Sequence, residues 1–183
     1  MAYKTLPIVL KNPKILLLGG GKVALQKAKV LQRNSIEFTL LSQEYLENFS
    51  SIKVSKLSKS FDLSDINDFT IVVDTTGSTE VMQTILKHKE LYNILYSCAS
   101  SPQNSDFFFS ALVEYGDIKI SVSSSGASPT LSKIIRDKIK DFLPDELENL
   151  QKELLQQREN GIINITQTKE KILSIFTNKK NSD

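Results

Sequence analysis

Three consecutive glycines, Gly19-Gly20-Gly21, separate two segments of opposite character. Before them, Lys14-Ile15-Leu16-Leu17-Leu18 is a short apolar run opened by Pro13. Its length and punctuation read as a strand buried on both faces. After them, VALQKAKVLQR has helical spacing. Val23, Ala24, Ala28, Val30 and Leu31 share a broad apolar face, with Gln26, Lys29 and Gln32 outside it. Ile36-Glu37-Phe38-Thr39-Leu40-Leu41 then reads as a second strand and completes a βαβ unit.

The alternation continues more loosely. Residues 52–57 alternate apolar and polar and read as a third, edge strand. Phe69-Thr70-Ile71-Val72-Val73 is a strongly apolar fourth, a helix is expected from Ser78 to about Glu90, and Asn93-Ile94-Leu95-Tyr96-Ser97 reads as a fifth strand. The fold expected is α/β, a Rossmann-like, doubly wound parallel sheet. The pattern then changes. Residues 107–113 and 118–122 are strand-like runs joined by Glu114-Tyr115-Gly116-Asp117, which predicts an antiparallel hairpin. From Pro129 onward the chain reads as a helical C-terminal part. Leu131, Ile134, Ile135, Ile139 and Leu143 form one stripe, Leu147, Leu150, Leu154 and Leu155 a second, and Ile163, Ile165, Ile172, Leu173 and Phe176 a third. Pro144-Asp145 and Asn160-Gly161 are breaks between helices, and NKKNSD is expected to fray. The expected divisions are 1–105, a nucleotide-binding Rossmann-like domain; 106–127, the hairpin region; and 128–183, the helical region.

Composition narrows the chemistry. A chain of 183 residues can bury a sizeable core. A net charge of +2 with no block of like charges gives no reason to expect nucleic acid or an anionic membrane as partner. One cysteine, Cys98, and one histidine, His88, leave no intramolecular disulfide and no Cys/His metal set, so no metal site is expected. No run reaches the length of a membrane span, and the N-terminal apolar stretch is too short for a signal peptide. The expected location is the cytoplasm.

Three segments carry candidate chemistry. The pattern G-x-G-x-x-G/A is met by Gly19, Gly21 and Ala24. It gives a tight turn, a close backbone approach to a pyrophosphate, and a small residue where helix packs on strand. The helix N-terminus then offers free N–H groups to the anion. The alternative is a tight turn without a ligand. Ser42-Gln43 occupies the place where a carboxylate often holds the adenosine ribose, and no arginine there awaits a 2′-phosphate, so NAD is favoured over NADP. Asp74-Thr75-Thr76-Gly77 ends the fourth strand and should approach the same crevice, or merely introduce a helix capped by Ser78 or Thr79. Ser123-Ser124-Ser125-Gly126-Ala127-Ser128-Pro129 precedes a helix. Ser128 and Pro129 suit a helix start, and a loop lined by hydroxyls can also receive carboxylates, so capping and substrate binding both remain open. His88 reads as a solvated surface residue, and Cys98 as a small buried one.

The order of these motifs, together with Leu6-Pro7-Ile8, Lys27-Ala28, Pro102, Asp106-Phe107-Phe108-Phe109, Ala111-Leu112-Val113 and Thr130-Leu131, resembles the precorrin-2 dehydrogenases over roughly residues 3 to 150. These form the N-terminal half of bacterial siroheme synthases and also occur as free-standing enzymes. The resemblance implies NAD-dependent oxidation of precorrin-2 to sirohydrochlorin, with ferrous iron insertion in some members. It also implies a homodimer whose dimerisation region follows the Rossmann domain. It places cofactor contacts on Gly21, Lys22, Val23, Ser42, Gln43, Thr75 and Thr76, which join Gly19 and Gly20 of the glycine cradle as the expected cofactor residues. The polycarboxylate tetrapyrrole it implies fits the hydroxyl-lined loop of Ser124, Ser125 and Ser128, and Ser124 matches a serine that carries phosphate in some members. One position departs from the pattern. Where the family has an aspartate implicated in catalysis, this chain has Ser100, which needs an activating partner to act as a base. The catalytic residue is thus unassigned: another group takes over, catalysis rests on positioning the hydride donor, or one activity, chelation first, is lost. The last case would leave an NAD- or tetrapyrrole-binding protein.

Overall fold

The computed structural model describes residues 10–116, 118–162 and 164–180. The Leu6-Pro7-Ile8 segment, Asp117 and Ile163 lie outside the described residues. Two compact units are present, one over Ile8–Phe108 and one that takes in Phe109–Asp183.

The first unit is built on five parallel strands: β1 (Ile15–Leu18), β2 (Phe38–Ser42), β3 (Ser55–Ser58), β4 (Ile71–Asp74) and β5 (Leu95–Cys98), in the order β3-β2-β1-β4-β5. Every residue of β1 and β4 is buried, as expected of strands covered on both faces. Helix α1 (Lys22–Arg33) joins β1 to β2, and α2 (Thr79–His88) joins β4 to β5. The two crossovers step in opposite directions along the sheet. Right-handed connection therefore puts their helices on opposite faces. On one face Leu16, Leu18, Leu41, Val72 and Tyr96 pack with Ile85 of α2 and with Ile66. α1 buries Ala24, Ala28 and Leu31. The strand order reverses between β1 and β4, so their carboxyl ends flank the crevice where such sheets take ligands.

Element ends differ from the apolar runs by a residue or two. β4 ends on Asp74 and β5 on Cys98 because those residues pair in register, which the apolar runs alone do not record. The third strand is shorter than the alternation suggests. Ile52 is buried after a 3-10 turn (Glu47–Ser51), and only Ser55–Ser58 pairs, with Thr39–Ser42 of β2.

In the second unit β6 (Ala111–Tyr115) and β7 (Ile118–Val122) form an antiparallel hairpin, with Gly116 at φ +56° in its turn. Phe107-Phe108-Phe109 precedes the ladder rather than joining it. Helices α3 (Pro129–Phe142), α4 (Glu146–Glu159) and α5 (Ile165–Lys180) follow. Val113, Leu143 and Leu147 form the core, with Ile118, Ile120, Ile139, Ile175 and Phe176 around it. The first helical stripe divides. Ile139 and Leu143 turn inward with Ser132, whereas Leu131, Ile134 and Ile135 are 48%, 54% and 41% exposed. Positions 132, 139 and 143 share one helix face at helical spacing, Leu131 and Ile135 lie beside it, and Ile134 falls on the opposite face. Asn178–Lys180, expected to fray, are still helical. No helix among the described residues is long and apolar enough to cross a membrane.

Candidate functional site

The glycines that end β1 are held in three different ways. Gly19 has φ +112°, its N–H donates to Leu41 O at 2.9 Å, and an added Cβ would sit 2.6 Å from Thr75 Oγ1. Only glycine suits such a backbone and such a neighbour. Gly20 lies against the chain leaving β2. Its carbonyl accepts from Leu46 N at 3.0 Å, and an added Cβ would overlap the Glu44 carbonyl. Gly21 is exposed, has ordinary backbone (φ −88°) and would meet nothing within 4 Å if it carried a Cβ. It is the N-cap of α1 and supplies no side-chain acceptor to the first turn. The N–H groups that open α1 therefore keep their partial positive charge beside an open space. Lys22 and Val23 are exposed at the same end, and Ala24 is fully buried where the helix meets the sheet. A phosphate group fits this geometry: bare backbone, open volume, aligned donors and no acid in the first turn.

Beside the loop, Ser42 ends β2, its N–H donating to Tyr45 Oη at 3.1 Å and its carbonyl accepting from Lys59 N at 3.2 Å. The Gln43 amide donates to Ser60 Oγ across the outer end of the sheet. The Lys59 ammonium lies 2.5 Å from Asp65.

The other side of the crevice is built around Asp74, which the sequence reading named only as part of its motif. Asp74 is 1% exposed. Its Oδ1 accepts from Thr76 N at 2.9 Å and from Thr76 Oγ1 at 2.7 Å. Its Oδ2 accepts from Tyr96 Oη at 2.6 Å, with Cys98 Sγ at 3.9 Å. Burial, and then the Asp74 hydrogen bond, push the Tyr96 phenol far above its ordinary value. Thr75 Oγ1 donates to Leu18 O at 2.6 Å, and Thr76 Oγ1 accepts from Ser78 N at 3.1 Å. Ser78 in turn caps α2 by accepting from Val81 N at 3.3 Å. Both threonines thus act within the turn that forms the crevice edge. The signal for Asp74 was an acid closing the apolar run Val72-Val73. Such a group needs buried donors, but its partner Tyr96 is distant in sequence.

Ser100 is exposed in the turn after β5, its Oγ 3.4 Å from Cys98 Sγ. Asp106 serves structure. It pairs with Lys89, its Oδ2 accepts from Tyr96 N at 3.0 Å, and its own N–H donates to Tyr96 O at 2.7 Å. Cys98 is buried, and His88 turns its Nδ1 to Thr84 O of its own helix at 2.9 Å.

In the second unit, the Ser124 hydroxyl donates to Ser128 O at 2.9 Å and accepts from Ser128 N at 3.0 Å. Ser128 Oγ accepts from Leu131 N at 3.2 Å and caps α3, with Pro129 at its first position. Ser125, at φ +50°, is exposed at the tip. The capping role is realised in full, and the Ser128 hydroxyl, as an acceptor from Leu131, retains its own proton for donation.

Residues 6–111 match the profile of a family described as putative NAD(P)-binding, and residues 116–141 match a sirohaem biosynthesis protein central region. A siroheme synthase of Buchnera aphidicola subsp. Acyrthosiphon pisum is 28% identical over 156 residues, covering 83% of this chain and 33% of that protein. The siroheme synthase of Blochmanniella pennsylvanica is 31% identical over 149 residues, 80% of this chain and 31% of that protein. The chain thus spans about a third of the length of the curated relatives it matches. Among solved structures, SirC, a precorrin-2 dehydrogenase, superposes with a TM-score of 0.66 at 18% identity, covering 94% of this chain and 88% of that one, a likeness of fold.

Proposed function

The chain belongs to the putative NAD(P)-binding family, and from that membership we propose that it is an NAD-dependent dehydrogenase that oxidises precorrin-2 to sirohydrochlorin in siroheme biosynthesis. The observation that carries the cofactor half is Gly21, an open helix N-cap with no competing side chain. In this reading the N–H groups of Gly21, Lys22 and Val23 hold the pyrophosphate. Gly19 and Gly20 keep the turn tight enough for it to approach. Ser42 and Gln43 face the adenosine half. Neither carries a positive charge, and Lys59 is already paired with Asp65, which favours NAD over NADP. Thr75 and Thr76 form the opposite edge. Bound NAD supplies the hydride acceptor.

The substrate half is supported by the match over residues 116–141, which spans the serine loop, and by the relatives' shared name. Ser124 and Ser128 pre-shape that loop, and Ser125 and Ser128 present hydroxyls to the carboxylates of a tetrapyrrole. The reading includes a cytoplasmic homodimer with a cofactor domain over 1–105, a dimerising hairpin over 106–127 and a helical region over 128–183. Iron insertion is set apart from it, because the neighbour of the Ser100 hydroxyl among the described residues is the Cys98 thiol. The same observation favours a second reading, a protein that binds NAD and tetrapyrrole without turning over.

Anaerobic incubation with precorrin-2 and NAD+ separates the two. Formation of NADH together with the sirohydrochlorin spectrum is expected. Intact NAD+ binding with neither product would select the binding protein instead. A large gain of activity in Ser100→Asp would show that the serine limits catalysis.

A further inference from the structure

A buried carboxyl lies at the end of β4, the strand that pairs with β1 below the glycine loop. Asp74 ends β4 and is almost wholly out of contact with water. Among the described residues its partners are neutral donors: the N–H and hydroxyl of Thr76, the Tyr96 phenol and the Cys98 thiol. All four groups can donate to its carboxylate oxygens. A carboxylate buried without a cation is costly to keep.

The topology indicates the use. The strand order reverses between β1 and β4, and α1 opens at the β1 end. A dinucleotide whose pyrophosphate meets α1 and whose adenosine lies toward β2 extends its other half toward β4 and β5. That half carries a positive ring when oxidised and a neutral one when reduced. We propose that Asp74 is a positioning residue that fixes the β4 edge of the crevice and whose buried charge makes the site prefer oxidised over reduced nicotinamide cofactor. The proposal rests on the NAD reading above and adds a redox preference to it. The two tasks belong to separate oxygens. Oδ1 shapes the turn through Thr76, whose hydroxyl then accepts from Ser78 N. Oδ2 is anchored to β5 by Tyr96. Neighbouring Thr75 ties the same turn to Leu18 at the root of the glycine loop.

The test is a pair of equilibrium titrations, NAD+ and NADH, on the whole chain. Pyrophosphate and adenosine contacts are common to both forms and cancel in the ratio of affinities. The unaltered protein is expected to bind NAD+ at least about threefold more tightly than NADH, and Asp74→Asn to lower that ratio by roughly fivefold through loss of a low-dielectric charge. Tyr96→Phe removes a donor but keeps the charge. It should weaken both forms alike and leave the ratio within about twofold. An unaltered protein that binds NADH as tightly as NAD+, or an Asp74→Asn protein with an unchanged ratio, overturns the proposal and leaves the NAD reading standing. If Asp74→Asn does not fold, the ratio in the unaltered protein and its persistence in Tyr96→Phe decide. Binding of neither form would sink the NAD reading and this proposal with it.

Discussion

Substitutions at Gly21 and Gly20 separate recognition from folding. Gly21 has a backbone any residue adopts and open space around it, and it caps a helix with no acceptor of its own. Gly21→Asp therefore supplies a favourable cap, expected to leave stability unchanged or raise it by a few tenths of a kcal/mol to ~1 kcal/mol. The same carboxylate occupies the phosphate position with like charge. NAD+ affinity should fall by about tenfold or more, measured by titration beside a thermal melt. Unchanged affinity would mean that the pyrophosphate binds elsewhere. Gly20→Ala does the reverse. Its methyl collides with the Glu44 carbonyl, so stability should drop by about 1–3 kcal/mol as the two loops part. The motif G-x-G treats position 20 as the tolerant one. The crowding comes from a carbonyl far along the chain, brought in by the Leu46–Gly20 hydrogen bond, and no local pattern announces it. Asp74 was hidden for the same reason: its burial could be suspected from Val72-Val73, but Tyr96 becomes its partner only once β5 pairs with β4.

At the scale of elements, period and punctuation were legible because the strands are covered on both faces and the glycines and prolines fall at their ends. Which face of a helix turns inward was less so. The first stripe of α3 is apolar at five positions, but only those on the Ser132 face reach the hairpin core. Besides the packing of Val113 with Leu147, the hairpin is tied to the start of α4 by Tyr115 Oη donating to Asp145 at 3.0 Å. Burial first, then Asp145 and the acids beside it, push the Tyr115 phenol up to about 12. A tyrosine raised this way keeps its proton longer in the folded state. Its contribution is complete below the ordinary value near pH 10 and is lost as pH rises through about 12. Tyr115→Phe should therefore be less stable than the parent at neutral pH by ~1 kcal/mol, one lost hydrogen bond. The difference should shrink between pH 10 and 12, followed by denaturant melts across that range. A constant difference would place the effect in packing rather than in the phenol. Ser128→Ala removes the α3 cap but keeps the backbone groups that bond Ser124, and should cost ~1 kcal/mol in a denaturant melt.

For the whole molecule, the two units raise the question of where cofactor binding is felt. Each has its own apolar cluster, one around Leu16, Leu18, Val72 and Tyr96, the other around Val113, Leu143 and Leu147. All residues assigned to the cofactor lie in the unit of Ile8–Phe108. A ligand that binds only the folded state stabilises it by mass action, about 2.7 kcal/mol at a free concentration a hundred times its dissociation constant. Units with separate cores open separately, so that gain should appear where the site is. Hydrogen exchange with and without NAD+ reads this amide by amide. The slowest amides of β1, β4 and β5 should gain protection approaching that figure, while those of α3 and α4 change little. The Gly21→Asp protein, which keeps the fold but not the cradle, should show no gain in either unit. Equal gains in both units would mean that the chain opens as one, and that cofactor binding in the sheet is transmitted to the serine loop that the proposed substrate requires.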